Sequence, residues 1–141
     1  MPDKPIFLDS NVIIYAYSDD DRKKDVSIAL LKRRPVISLQ VINEVMNVAM
    51  RKLHLPCRDV RELFALLKRR CEVKTVDCST VERALTIVET AHYSYFDSLM
   101  LASALEHDCR ILYSEDLQHG QIIDGLQIIN PFRDLKHFES A

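Results

Sequence analysis

Short apolar runs separated by longer helical repeats restrict this chain more than any other feature. Strand-length runs lie at residues 5–8, 36–39, Val73 to Val76 and Arg110 to Ser114. Between them, apolar residues recur three and four apart, the spacing of one helix face. After strand 5–8 a helix is expected from Asn11 to Tyr17, and a second carries Val26, Ala29 and Leu30. Strand 36–39 leads to a helix from Gln40 to His54, stopped by Pro56, whose ring cannot continue a helix. A helix from Arg58 to Arg70 places Val60, Leu63, Phe64 and Leu67 on one face, and Ser79 with Glu82 reads as a capping box opening the next. Leu126 to Ile129, closed by Pro131, is a candidate last strand. Strands alternating with helices predict an α/β fold, a three-layer α/β/α domain around a mostly parallel sheet.

The stretch from Tyr95 to His107 differs from the other helices. Phe96, Leu99, Met100, Leu101, Ala102, Ala104 and Leu105 cover most of its circumference, so it is expected to be a buried central helix.

At 141 residues and 48% hydrophobic, the chain is long enough to bury a core without disulfides or structural metal. With no repeat, low-complexity tract or flexible linker, it is expected to form one domain, 1–141. Both glycines, Gly120 and Gly125, come late, so neither a phosphate-cradling P-loop nor a dinucleotide-binding glycine turn is available. Cys57, Cys71, Cys78 and Cys109 show no zinc-ligand spacing and read as reduced structural thiols. No apolar run approaches the roughly 18 residues of a membrane span and the start lacks a secretory layout, so no membrane association and a cytoplasmic location are expected.

Net charge is −2, but its distribution is uneven. Residues 22 to 74 hold 14 Lys/Arg against 5 Asp/Glu, and the remainder 5 against 16. Arg22-Lys23-Lys24, Lys32-Arg33-Arg34, Arg51-Lys52 and Lys68-Arg69-Arg70 are candidates for contacting phosphates, each equally readable as a solvated helix face.

Four acids stand out against this outline. Asp9 ends the first strand, Glu44 lies early in the helix after the second, Asp97 begins the central helix, and Asp116 follows strand 110–114. Each has a structural alternative. Asp9 can cap the helix after it, Glu44 can flank an apolar face, Ser94 and Asp97 can form a capping box, and Asp116 competes with neighbouring Glu115. Strand direction joins them: in a parallel sheet all four arrive at the C-terminal edge, where such folds bind ligands. Like charges meeting in one cleft repel unless a cation intervenes. All-carboxylate ligands suit Mg²⁺ or Mn²⁺, and such ions serve phosphodiester chemistry. Ser10, Asn11 and Ser114 are candidates for holding the carboxylates from behind, with ordinary strand-end capping as the alternative. His119 reads either as a proton shuttle or as a solvated loop residue.

The ordered set resembles the PIN-domain ribonucleases, and especially the VapC-type toxins of toxin–antitoxin pairs. The resemblance rests on Ile6 to Ala16 around Asp9, Val41 to Val45 around Glu44, Tyr95 to Ala104 around Asp97, and Ser114 to Gln121 around Asp116. It implies a Mg²⁺- or Mn²⁺-dependent endoribonuclease with Asp9, Glu44, Asp97 and Asp116 as metal ligands. It further implies an RNA substrate, a cognate antitoxin and a homodimer. Some relatives carry a fifth acid, a position open here only to Glu115. A stand-alone RNA-processing nuclease, a haloacid-dehalogenase-like phosphatase and an inactive RNA- or protein-binding module remain as alternatives. Asn11 counts against the phosphatase, which needs an acid there.

Overall fold

The computed structural model describes residues 4–133. Strand β1 (Ile6–Leu8) leads into the short helix α1 (Ser10–Ile14), which tightens into a 3₁₀ turn at Tyr15–Tyr17 before α2 (Asp21–Leu31). Next come β2 (Val36–Ser38), α3 (Leu39–Arg51), α4 (Cys57–Arg70), β3 (Glu72–Lys74), α5 (Cys78–Ala91) and α6 (Tyr95–Glu106). The chain closes with β4 (Ile111–Tyr113), β5 (Ile122–Ile123) and β6 (Leu126–Ile129).

The sheet order is β3-β2-β1-β4-β6-β5, and every pairing is parallel except β5 with β6. From β1 the chain steps outward to β2 and β3, then returns through α5 and α6 to the other side of β1. Right-handed crossovers in opposite directions put the two sets of helices on opposite faces, giving the expected α/β/α sandwich. The reversal also leaves a crevice between the C-terminal ends of β1 and β4, the switch point at which such sheets bind ligands.

Burial explains the strand sequences. All residues of β1 and β2 are buried, without the alternation of a one-sided sheet. On α6, Ser98 to Ala104 are all buried, so the central helix is as expected over most of its length. Its first turn is not: Phe96 is 63% exposed, because the helix begins beyond the edge of the sheet.

Three local expectations need correction. Helix α5 starts earlier than Ser79, with Asp77 as N-cap and the capping box made by Asp77 and Thr80. Thr80 is fully buried and its hydroxyl also donates to Glu106 on α6 at 2.7 Å, a bond that fixes the cap two residues upstream of Ser79. Pro56 does not itself end α3: the helix stops at Arg51, the chain reverses through His54 at positive φ, and Pro56 occupies the N-cap of α4. Strand β5 lies outside the expected elements: Asp124 and Gly125, both at positive φ, make the two-residue turn that pairs Ile123 with Leu126.

All four cysteines are free, Cys71 and Cys109 buried and Cys57 and Cys78 exposed. Burial pushes the Cys71 thiol up to about 11 and the Cys109 thiol up to about 12, which leaves both as inert packing groups. No helix among the described residues is long and apolar enough to cross a membrane.

Candidate active site

The crevice between β1 and β4 is built from the ends of both strands. Leu8 pairs with Tyr113, and the next residue, Asp9, donates its backbone N–H to the Tyr113 carbonyl at 3.0 Å. That register sets Asp9 beside Ser114. The Ser114 hydroxyl donates to Asp9 Oδ2 at 2.8 Å and accepts the Asp116 N–H at 3.1 Å, so one buried hydroxyl fixes an acid from each strand.

Asp9 is also the N-cap of α1, and its Oδ1 accepts the Ser10 N–H at 2.6 Å. Capping and site geometry therefore coexist in one side chain. Ser10 reaches the other way, donating to Glu44 Oε2 at 2.9 Å, while Gln40 Nε2 donates to Glu44 Oε1 at 3.3 Å. Asn11 makes the third link. Its Nδ2 donates to Asp9 Oδ2 at 3.2 Å and to Asp116 Oδ2 at 3.0 Å, and its Oδ1 accepts the Glu115 N–H at 3.2 Å. Ser10, Asn11 and Ser114 thus tie Asp9, Glu44 and Asp116 together.

Asp9 is only 6% exposed, while Glu44 is half-buried and Asp116 exposed. Burial raises the Asp9 carboxyl to about 6; the bonds from Ser114 and Ser10 oppose the shift, and the charges of Glu44 and Asp116 add to it. Among the described residues no cation pairs with Asp9.

Asp97 stands apart from this network. It lies half-buried on the first turn of α6, with its N–H bonded to the Ser94 hydroxyl at 3.2 Å. The cap is real, but among the described residues its carboxylate takes no hydrogen bond or ion pair. The far end of α6 lies by the start of β1, where the Arg110 N–H bonds the Pro5 carbonyl at 2.9 Å. About 14 Å of helix rise then carries Asp97 toward the edge that holds the other acids. Among the described residues no three Asp, Glu, His or Cys side chains converge into a ready-made ligand set for one ion.

Glu115 and His119 have other partners. Glu115 accepts from the Tyr15 hydroxyl at 2.7 Å and pairs with Lys23 at 3.4 Å. His119 Nδ1 accepts the Asn130 N–H at 2.9 Å, which makes it a loop anchor with Nε2 carrying the proton.

The basic clusters divide between the two edges of the sheet. Arg33 and Arg34 border an open cavity of about 400 Å³ with Lys4, Pro5, Val36 and Glu72, at the N-terminal ends of the strands. Arg34 also bonds the Arg69 carbonyl at 3.2 Å, which brings the end of α4 to that edge. Arg33, Arg34 and the end of α4 at Arg69 therefore gather at the edge opposite the acids. Lys23, at the start of α2, does reach the acidic edge.

Comparison with known proteins agrees with this architecture. The chain matches the family profile described as the PIN domain over residues 6–123, and it belongs to the PIN-domain family. A toxin–antitoxin complex from Klebsiella pneumoniae superposes with a TM-score of 0.69 at 23% identity, covering 90% of this chain and 98% of that one. DNA-bound VapBC from Salmonella typhimurium gives 0.66 at 20% identity, covering 89% and 97%. VapC20 from Mycobacterium tuberculosis, described as a sarcin–ricin loop cleaving toxin, gives 0.63 at 19% identity, covering 79% and 89%. At these identities the likeness is one of fold. No curated protein sequence matches the chain.

Proposed function

We propose that the chain is a single-domain, Mg²⁺- or Mn²⁺-dependent endoribonuclease that hydrolyses RNA phosphodiester bonds and acts in the cytoplasm as the toxin of a toxin–antitoxin pair. The observation that carries this is Asp9: a buried carboxylate at the switch point of a PIN-family sheet, faced by two further acids with no cation between them among the described residues. The donor set is all oxygen, which fits a hard divalent ion. An incomplete set of direct ligands also fits, because Mg²⁺ retains several waters and takes only one or two carboxylates directly. Asp9, Glu44, Asp97 and Asp116 would hold the ion.

A bound ion supplies Lewis acidity, acidifying water and neutralising charge on the phosphate. The chain's own residues supply orientation. Ser114 and Asn11 hold Asp9 Oδ2, Ser10 holds Glu44, and Asn11 holds Asp116, so the carboxylates are pre-aimed and little reorganisation accompanies reaction. RNA as substrate is supported by the loop-cleaving activity named for VapC20. Structured RNA incubated with purified protein is expected to be cut in Mg²⁺ or Mn²⁺ and spared in EDTA, and Asp97→Asn is expected to be inactive. Cleavage that survives EDTA, or that is undiminished in Asp97→Asn, would sink the metal mechanism.

We further propose where the antitoxin docks. An apolar groove of about 300 Å³ runs between α1, α2 and α4, lined by Ile13, Ile28, Leu31, Leu63 and Leu66 and bordered by Lys32 and Arg70. It suits an apolar segment with acidic flanks. Leu66→Glu is expected to weaken antitoxin binding by about 100-fold, the range for losing an interface anchor, with RNA cleavage by the free toxin unchanged. Titration of labelled antitoxin against both proteins checks this. We also propose a homodimer, for which Leu39 and Met50 on α3 and Leu85 on α5 offer exposed apolar side chains; sedimentation measures it.

A further inference from the structure

A second network enters the acidic edge from the C-terminal end of the described chain. Phe132 is buried and packs its ring edge-on against Tyr15, with centroids 4.6 Å apart. Lys23 Nζ lies over both rings, 4.5 Å from the Tyr15 centroid and 5.5 Å from that of Phe132. The same ammonium meets the Tyr15 hydroxyl oxygen at 3.2 Å and Glu115 Oε2 at 3.4 Å, and the Tyr15 hydroxyl donates to Glu115 Oε1 at 2.7 Å. Both oxygens of Glu115 are thus engaged by residues about a hundred positions earlier in sequence.

The consequence for the acids runs through the backbone. With its side chain tethered to Tyr15 and Lys23, Glu115 presents its N–H to Asn11 Oδ1 at 3.2 Å. That bond fixes which end of the Asn11 amide faces the acids. Flipped, the amide would set its oxygen against two carboxylates; as held, its NH₂ bridges Asp9 and Asp116. Neighbouring residues in a turn also project apart, so tethering Glu115 outward leaves Asp116 free to face Asn11. A solitary surface ion pair would do none of this. Here the pair is half-exposed, capped by two rings, and joined through one backbone N–H to the site.

We propose that Tyr15, Lys23 and Glu115 form a brace that positions Asn11 and Asp116 for the divalent ion, with Glu115 its anchor and not a metal ligand. This rests on the metal-dependent function proposed above, which its test separates.

Mn²⁺ binding to the full chain, measured by calorimetry without RNA and with melting temperature as a folding control, reads the role directly. Lys23→Met and Glu115→Gln are each expected to weaken Mn²⁺ binding by about tenfold, the scale for residues that orient ligands from behind. Tyr15→Phe, which removes only a hydroxyl, is expected to weaken it as well. Lys23→Arg restores wild-type affinity. The Lys23→Met/Glu115→Gln double variant is expected to bind no more weakly than either single one, because both break the same pair. Asp97→Asn is the benchmark for losing a ligand. If Glu115→Gln loses Mn²⁺ as completely as Asp97→Asn, Glu115 is a ligand and the proposal fails. If Lys23→Met and Glu115→Gln bind as wild type, the brace positions nothing. Wild-type protein that binds no Mn²⁺ overturns the metal site itself, and the brace's role with it.

Discussion

With Mn²⁺ present, Asp9→Asn protein is expected to cleave RNA more than about 100-fold more slowly than wild type, beyond the range seen for residues that merely support a ligand. In EDTA at pH 8 the same variant is expected to melt higher than wild type. Both effects come from one buried charge. Asp9 stands 6% exposed beside Glu44 and Asp116, and its carboxyl rises from 3.8 to about 6. The sign follows from proton counting: between those two values the folded state holds a proton that the unfolded state has released. Metal-free stability therefore falls as pH rises from about 4 to about 6, and the full penalty, up to about 3 kcal/mol, persists above that window. Asparagine removes the charge.

Not all of that gain is recovered. The asparagine amide would meet donors from Asn11 and Ser114, although Ser114 can rotate its hydroxyl to accept. A net gain of about 1 to 2 kcal/mol, or roughly 3 to 6 °C, is expected at pH 8; it crosses zero at about pH 5, and by about pH 4, where the wild-type penalty is gone, the variant is expected to melt about as far below wild type. Thermal melts of both proteins across pH in EDTA measure this. An Asp9→Asn protein that melts at or below wild type at every pH would show that the carboxylate costs the metal-free fold nothing.

The second large effect is the response of wild type to the ion. An ion that binds only the folded state stabilises it by about 2.7 kcal/mol at 100 times its dissociation constant. Because the ion needs Asp9 ionised, the Mn²⁺-induced rise in melting temperature is expected to be small at pH 5, to grow steeply through about 6, and to level off by pH 7. EDTA reverses it at each pH. Calorimetry in buffers of different ionisation enthalpy should register proton release on Mn²⁺ binding below about pH 6. A Tm rise independent of pH would place the ion away from Asp9.

How far the site could be read beforehand differs from residue to residue. Asp9 was legible because it ends a run of apolar residues, so strand geometry alone put it at the sheet edge. Ser10 and Asn11 were legible as its neighbours on a tight turn. Glu115 against Asp116 was not, since adjacent acids in a polar loop carry no signal of direction. Tyr15 and Lys23 hold the Glu115 carboxylate, and nothing in their spacing announces a pairing with residue 115. The cap of α5 was misplaced for a similar reason: Ser79 with Glu82 satisfies the local pattern, but burial of Thr80 against Glu106 selects Asp77. The hairpin at Asp124-Gly125 did carry its signal, a two-residue turn whose residues tolerate positive φ.

The basic block illustrates the limit most clearly. Counted along the chain it is one stretch of positive charge, but α2 and α4 both run from one edge of the sheet to the other. Arg22 to Lys24 start at the acidic edge, whereas Arg33, Arg34 and Arg69 finish at the opposite one.

By itself, the sequence determined the alternation of strands and helices, the parallel sheet, the central helix and the four candidate acids, because periodicity, turn residues and apolar runs act over a few positions. Only the tertiary structure decided which polar groups meet: that Ser114 and Asn11 hold Asp9, that Glu115 is drawn to Lys23, and that Arg33, Arg34 and Arg69 gather at the opposite edge. Those outcomes depend on strand order and register, which bring together residues a hundred positions apart and leave no trace in local spacing.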